Sequence, residues 1–203
     1  MKDYTAGLGT EMEAQTGVKL QCSFFDERWS KGRDVTDVGW SSKHAELLVS
    51  SYSRNPNAIN EPDGIVCVWN LHLLGRPEFV FHSTTDVLCT MFAPFHPNLV
   101  VGGTYSGQIV LWDTRSRHLP VLKTALSAAG HTHPVYSLKI VGSHNAHNLV
   151  TASTDGLVCS WQLDMLAQPQ EMIELVNPAN SRTDEVAPTV ISFPDNETGS
   201  FWV

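Results

Sequence analysis

The sequence predicts an all-β fold, a partial β-propeller of three four-stranded blades plus the start of a fourth. Three observations predict it. First, a Gly-to-Trp motif recurs with the tryptophan always five positions after the glycine: Asp63-Gly64 to Trp69, Ser106-Gly107 to Trp112, and Asp155-Gly156 to Trp161. Second, these tryptophans lie 43 and then 49 residues apart, a period belonging to stacked supersecondary units rather than to separate domains. Third, each motif is preceded by two apolar runs and followed by one, giving four short strands per repeat.

Blade one is assigned to residues 34–82, with strands at 35–40, at 46–52, in the run after Gly64, and at 77–82. Between the second and third strands lies a ten-residue excursion, 53–62, too polar for a core. It reads as a tolerated insertion or a binding loop. Blade two is assigned to 83–126, with strands at 87–92, 98–104, after Gly107, and at 120–126. Blade three is assigned to 127–177, with strands at 135–140, 148–153, after Gly156, and at 171–176. In each third strand the Asp-Gly or Ser-Gly pair supplies a tight hairpin turn. The residues that follow are apolar on both faces, as a strand buried between neighbouring sheets requires. Residues 1–33 form an N-terminal extension and lead-in. Residues 178–203 read as a linker and a truncated fourth blade, because Thr189-Val190-Ile191-Ser192-Phe193-Pro194 repeats the opening strand and turn of blade two. Closure of such a ring requires blades beyond these, and open sheet faces favour aggregation.

Composition narrows the function classes. The chain has 203 residues, 42% of them hydrophobic, and 13 basic against 21 acidic residues give a net charge of −8. Without a basic stripe, such a chain repels nucleic acid. No apolar run is long enough to span a membrane. The cysteines Cys22, Cys67, Cys89 and Cys159 show no metal-binding spacing, and Cys67 and Cys159 read as core fillers two residues before their tryptophans. A reducing, cytoplasmic setting is expected. His131, His133, His144 and His147 lack a carboxylate at matching spacing, so no metal is predicted. The glycine-rich run 102–107 lacks the Lys of a phosphate loop, and no Gly-x-Ser-x-Gly elbow is present. Neither an enzyme nor a cofactor is predicted.

The third repeat carries the fullest signature, Gly130-His131 followed by Asp155, Gly156 and Trp161, and it resembles the WD40 family. That resemblance implies a structural hydrogen-bond network of His131, Asp155, Thr151 or Ser153, and Trp161. Trp69 with Asp63, and Trp112 with His82, are partial matches. Blade two departs from the pattern, with Ser106 in place of the turn aspartate and Gly102 or Thr104 where the strand hydroxyl belongs.

Longer blocks resemble the intermediate chains of cytoplasmic dynein: Phe24-Phe25-Asp26-Glu27-Arg28-Trp29-Ser30-Lys31, Glu61-Pro62-Asp63-Gly64, and residues 96–113, 129–136, 145–149 and 160–166. The resemblance runs from about residue 20 to 194. It implies a non-catalytic scaffold subunit of a microtubule motor whose propeller binds the dynein heavy-chain tail. In that family, dynein light chains and dynactin bind an N-terminal segment, which is absent here apart from residues 1 to about 33. Expected partner-binding residues are Phe25, Asp26, Arg28 and Trp29 in the lead-in, Tyr105 beside its turn, and His133 with Tyr136 after the Gly-His pair. Trp29 reads equally as a side chain packed under blade one. The competing classes are an axonemal dynein intermediate chain and WD-repeat adaptors for ubiquitin ligases, vesicle coats or RNA.

Overall fold

A computed structural model of the chain describes residues 17–126, 129–177 and 186–193. Residues 1–16 of the lead-in, and residues 178–185 and 194–203 of the expected linker and fourth blade, lie outside the described residues. The described residues form strands and turns without a helix. The strands, in chain order, are β1 (Val35–Trp40), β2 (Leu47–Tyr52), β3 (Gly64–Asn70), β4 (Phe79–Ser83), β5 (Val87–Ala93), β6 (His96–Thr104), β7 (Ile109–Asp113), β8 (Leu122–Lys123), β9 (Val135–Ser143), β10 (Ala146–Ser153), β11 (Leu157–Trp161) and β12 (Glu171–Glu174). They pair as three antiparallel meanders, β1-β2-β3-β4, β5-β6-β7-β8 and β9-β10-β11-β12. This is the all-β partial propeller that the repeat implied.

Each sheet is cemented to the next by apolar faces. Val49, Val66, Val68 and Phe81 of blade one meet Val87, Val100, Val110 and Trp112 of blade two. Cys89, Val101, Ile109 and Leu111 of blade two meet Val135, Leu149 and Trp161 of blade three. The first strands also touch through polar groups: Thr36 Oγ1 donates to the Val87 carbonyl at 2.6 Å, and Thr90 N–H donates to Asp37 Oδ2 at 2.9 Å. Cys67, Cys89 and Cys159 are free and buried. Burial pushes all three thiols up, Cys159 to about 12, which keeps them protonated and inert.

A second inter-blade device sits at the turns. A Cβ on Gly64 would come within 2.1 Å of the Thr85 carbonyl oxygen. On Gly107 it would reach the His131 and His133 carbonyls at 2.7 and 2.9 Å, and on Gly156 the Val186 carbonyl at 3.0 Å. The Asp-Gly and Ser-Gly pairs therefore do more than shape hairpins. Each lets a turn press against the approach loop of the following blade.

Two expectations need adjusting. The outer strand foreseen at 120–126 shrinks to β8: Pro120 has no N–H to give the ladder, and although Thr124 N–H donates to the Ile109 carbonyl at 3.0 Å, Ile109 N–H turns to the Thr124 hydroxyl and the Thr124 carbonyl accepts from Gln108 Nε2 at 2.7 Å. The opening strand foreseen within 189–194 is not a regular strand over the described residues. Its position is nonetheless that of a fourth blade. Ile191 is buried against Val150, Ala152 and Val158, and its N–H donates to Ser137 Oγ at 3.1 Å, as Thr90 N–H donates to Asp37.

Candidate functional site

In blade three, four side chains from the approach loop, β10, the hairpin turn and β11 form one chain of bonds. Trp161 Nε1–H donates to Thr151 Oγ1 at 2.9 Å, and His131 Nε2 lies 2.7 Å from the same oxygen. His131 Nδ1 lies 3.3 Å from Asp155 Oδ2, which also accepts Thr132 N–H at 3.0 Å; Asp155 Oδ1 accepts Leu157 N–H at 3.0 Å. Thr151, rather than Ser153, takes the tryptophan. Ser153 Oγ instead donates to the His133 carbonyl at 2.9 Å. Burial lowers the His131 pKa against the pull of Asp155, so the ring is neutral. Asp155 can only accept, which puts the proton on Nδ1 and leaves Nε2 to accept from the Thr151 hydroxyl.

Blade one reaches the same end with different residues. Trp69 Nε1–H donates to Ser50 Oγ at 2.8 Å, and Ser50 Oγ–H donates to Tyr52 Oη at 3.1 Å. A phenol two positions along the same strand therefore stands where blade three uses the approach-loop histidine. Asp63 lies outside this network and gives its main-chain carbonyl to Arg33 Nη1 at 2.7 Å.

In blade two no side chain takes the tryptophan N–H; the hydroxyls of Thr85, Ser106 and Thr104 bond one another at 3.2 and 3.0 Å instead. Gly102 stands where Ser50 and Thr151 stand, and a Cβ there would come within 2.8 Å of the Trp112 ring. Trp112 Nε1–H reaches the His82 main-chain carbonyl at 3.1 Å instead. The His82 imidazole bonds no tryptophan. It packs between Trp29 and His118, at ring-centroid distances of 5.3 and 4.4 Å.

The lead-in residues divide. Asp26 caps a tight turn, its Oδ1 accepting Arg28 and Trp29 N–H at 2.9 and 2.8 Å. Trp29 and Phe24 pack on the blade-one cluster of Tyr52, Ile65, Cys67 and Trp69, with Phe24 5.6 Å from Trp69. Trp29 is thus a packed side chain first, and its outer face carries the Arg28 guanidinium at 4.6 Å. Phe25 and Arg28 remain exposed.

At the blade two–blade three seam, the turn that follows Tyr105 abuts the approach loop of blade three, where a Cβ on Gly107 would meet the His133 main-chain carbonyl at 2.9 Å. Tyr105 is 59% exposed and Tyr136, at the start of β9, is 42% exposed. The structure thus separates the expected partner-binding residues into two groups, one at the lead-in and one at that seam.

Sequence reasoning missed Arg33. Its buried guanidinium donates to the Ser53, Pro62 and Asp63 carbonyls at 2.9, 2.8 and 2.7 Å and pairs with Glu61 at 3.1 Å. It closes the 53–62 excursion onto the lead-in, making this loop part of the packed frame. Its position next to a charge-rich turn hid it. Among the described residues no group of three His, Cys, Asp or Glu is arranged to hold a metal.

Comparison with known proteins agrees with the resemblance noted above. Residues 18–152 match the family model described as the dynein axonemal intermediate chain 3 WD40 domain. The cytoplasmic dynein 1 intermediate chain of Drosophila melanogaster is 48% identical over 98% of this chain. The chain spans 30% of that relative's length.

Proposed function

Because this chain belongs to the WD40 family of dynein intermediate chains, we propose that it is propeller sequence from a non-catalytic subunit of the cytoplasmic motor, holding the dynein heavy-chain tail. Through that contact it would connect the motor to cargo adaptors for movement along microtubules in the cytoplasm. The cytoplasmic rather than axonemal form is favoured by 48% identity along nearly the whole chain.

The observation that carries the binding role is the exposure of aromatic side chains on the loop face, Tyr105 and Tyr136 with His133. The Gly107 turn packs on the His131 and His133 carbonyls, which sets the backbone carrying Tyr105 against the backbone carrying His133 and lowers the ordering cost of binding through their exposed rings and that of Tyr136. Aromatic side chains placed this way are the usual energetic anchors of an interface. The contacts with light chains and dynactin are those of the family's N-terminal segment and are not assigned to these blades.

The test is affinity capture from cytosol with a tagged intermediate chain containing this sequence. Heavy chain should co-purify, and the Tyr105→Ala, His133→Ala pair should reduce its recovery by about tenfold, the scale of one interface hot spot. Capture without heavy chain would sink the assignment. Undiminished recovery by the double variant would move the contact to another face.

A further inference from the structure

Three segments of the chain meet at His82 of β4, the outer strand of blade one. Its main-chain N–H donates across the seam to the His118 carbonyl of the β7–β8 loop at 2.8 Å, and its own carbonyl accepts Trp112 Nε1–H at 3.1 Å. Its partly buried imidazole lies 5.3 Å from the Trp29 ring of the lead-in and 4.4 Å from the His118 ring. One residue thus ties the lead-in, blade one and blade two together, with a titratable ring at the centre of the contact.

A neutral ring suits this place and a charged one does not. From the lead-in, Trp29 already carries the Arg28 guanidinium at 4.6 Å, and the buried Arg33 is paired with Glu61 at 3.1 Å. From the β7–β8 loop come His118 and its exposed chain neighbour Arg117. Lys123 of β8 and Asp63 before β3 line the same groove as His82. Burial first, and then the charges of His118, Arg33 and Arg28, hold the His82 pKa below its ordinary value of 6.5. Among the described residues no carboxylate is bonded to the ring to offset a proton, so an imidazolium there meets a second imidazole at 4.4 Å without compensation.

We propose that the His82–His118 contact is a proton-operated latch: a neutral His82 holds the β7–β8 loop, residues 114–121, on the outer strand of blade one, and protonation drives the two rings and the loop apart. The latch is closed above 6.5 and opens as the pH falls through the lower value of the folded chain. It stands apart from the heavy-chain reading, which concerns the loop face.

The test is hydrogen–deuterium exchange read by mass spectrometry on an intermediate chain containing this sequence, following both the imidazole C2 protons and the main-chain amides. His82 should titrate below 6.5, and His118→Gln, which removes a facing cation, should raise its midpoint. The amide of residue 82, bonded across the seam to the His118 carbonyl, reports the opening. Corrected for intrinsic exchange and measured against the amides of β10, its protection should fall about tenfold between about pH 7.5 and about pH 5, the scale of one lost contact. His82→Gln keeps both main-chain bonds, and His118→Gln alters an exposed side chain, so each should remove most of that fall while leaving protection at the higher pH in place. A His82 midpoint at or above 6.5, protection at residue 82 that follows β10 across the range, or the full fall persisting in His118→Gln would overturn the latch.

Discussion

Trp112 and Trp161 hold equivalent places in β7 and β11 and are equally buried, yet they are anchored by opposite means. Trp161 hangs from a relay of side chains running through Thr151 and His131 to Asp155, whereas Trp112 hangs from one main-chain carbonyl and lies against Gly102. Blade one stands between them, with Ser50 and Tyr52 forming a shorter relay. What stays constant across the blades is a buried ring with a satisfied N–H. The identity of the acceptor is free to change, because an unpaired indole N–H costs free energy whichever group is missing, and any well-placed oxygen removes that cost.

The largest effect should come from the rings themselves. Trp112→Ala and Trp161→Ala should each destabilise the chain by about 3–5 kcal/mol in urea unfolding, since both tryptophans fill an inter-blade core. If one were tolerated, the equivalence of the two anchors would fail. Next comes Thr151→Val, which preserves shape but strips the oxygen shared by Trp161 and His131. A loss of about 2–4 kcal/mol is expected, because two buried groups lose their partner. The corresponding change in blade one, Ser50→Ala, should cost about 1–2 kcal/mol, as Trp69 loses one acceptor and Tyr52 one bond. Should Ser50→Ala prove as costly as Thr151→Val, the relay length would not matter.

The smallest effect is a pH dependence. The folded chain holds His131 below its ordinary value of 6.5, so the unfolded chain binds that proton more readily. The resulting stability is complete above 6.5 and is lost as pH falls through the lower, folded value. His82 is shifted in the same direction, mainly by burial, and adds to the slope. Unfolding midpoints measured on acidification should therefore fall. His131→Gln should flatten the fall. An unchanged slope in His131→Gln would mean the relay histidine is not the titrating group.

The fold was largely legible in the chain. The Gly-to-Trp interval placed β3, β7 and β11, and alternating apolar runs placed β1, β2, β6 and β10 within a residue or two. Less was legible at the sites. His131, Asp155 and Trp161 fall in one linear pattern, whereas Tyr52 as a stand-in for histidine, and Arg33 under the excursion, carry no pattern at all.

The reason is one of range. Strand alternation and tight turns are decided within a few residues by side-chain direction and backbone dihedrals, so the sequence by itself determined the repeat, the strands and which tryptophans are buried. Hydrogen-bond partners and covered faces depend on groups far apart in the chain. Arg33 meets the Asp63 carbonyl, Trp112 meets that of His82, and Phe24 meets Trp69 only after the blades stack. Those pairings, and with them the split of the expected partner-binding residues between lead-in and loop face, were decided by tertiary packing alone.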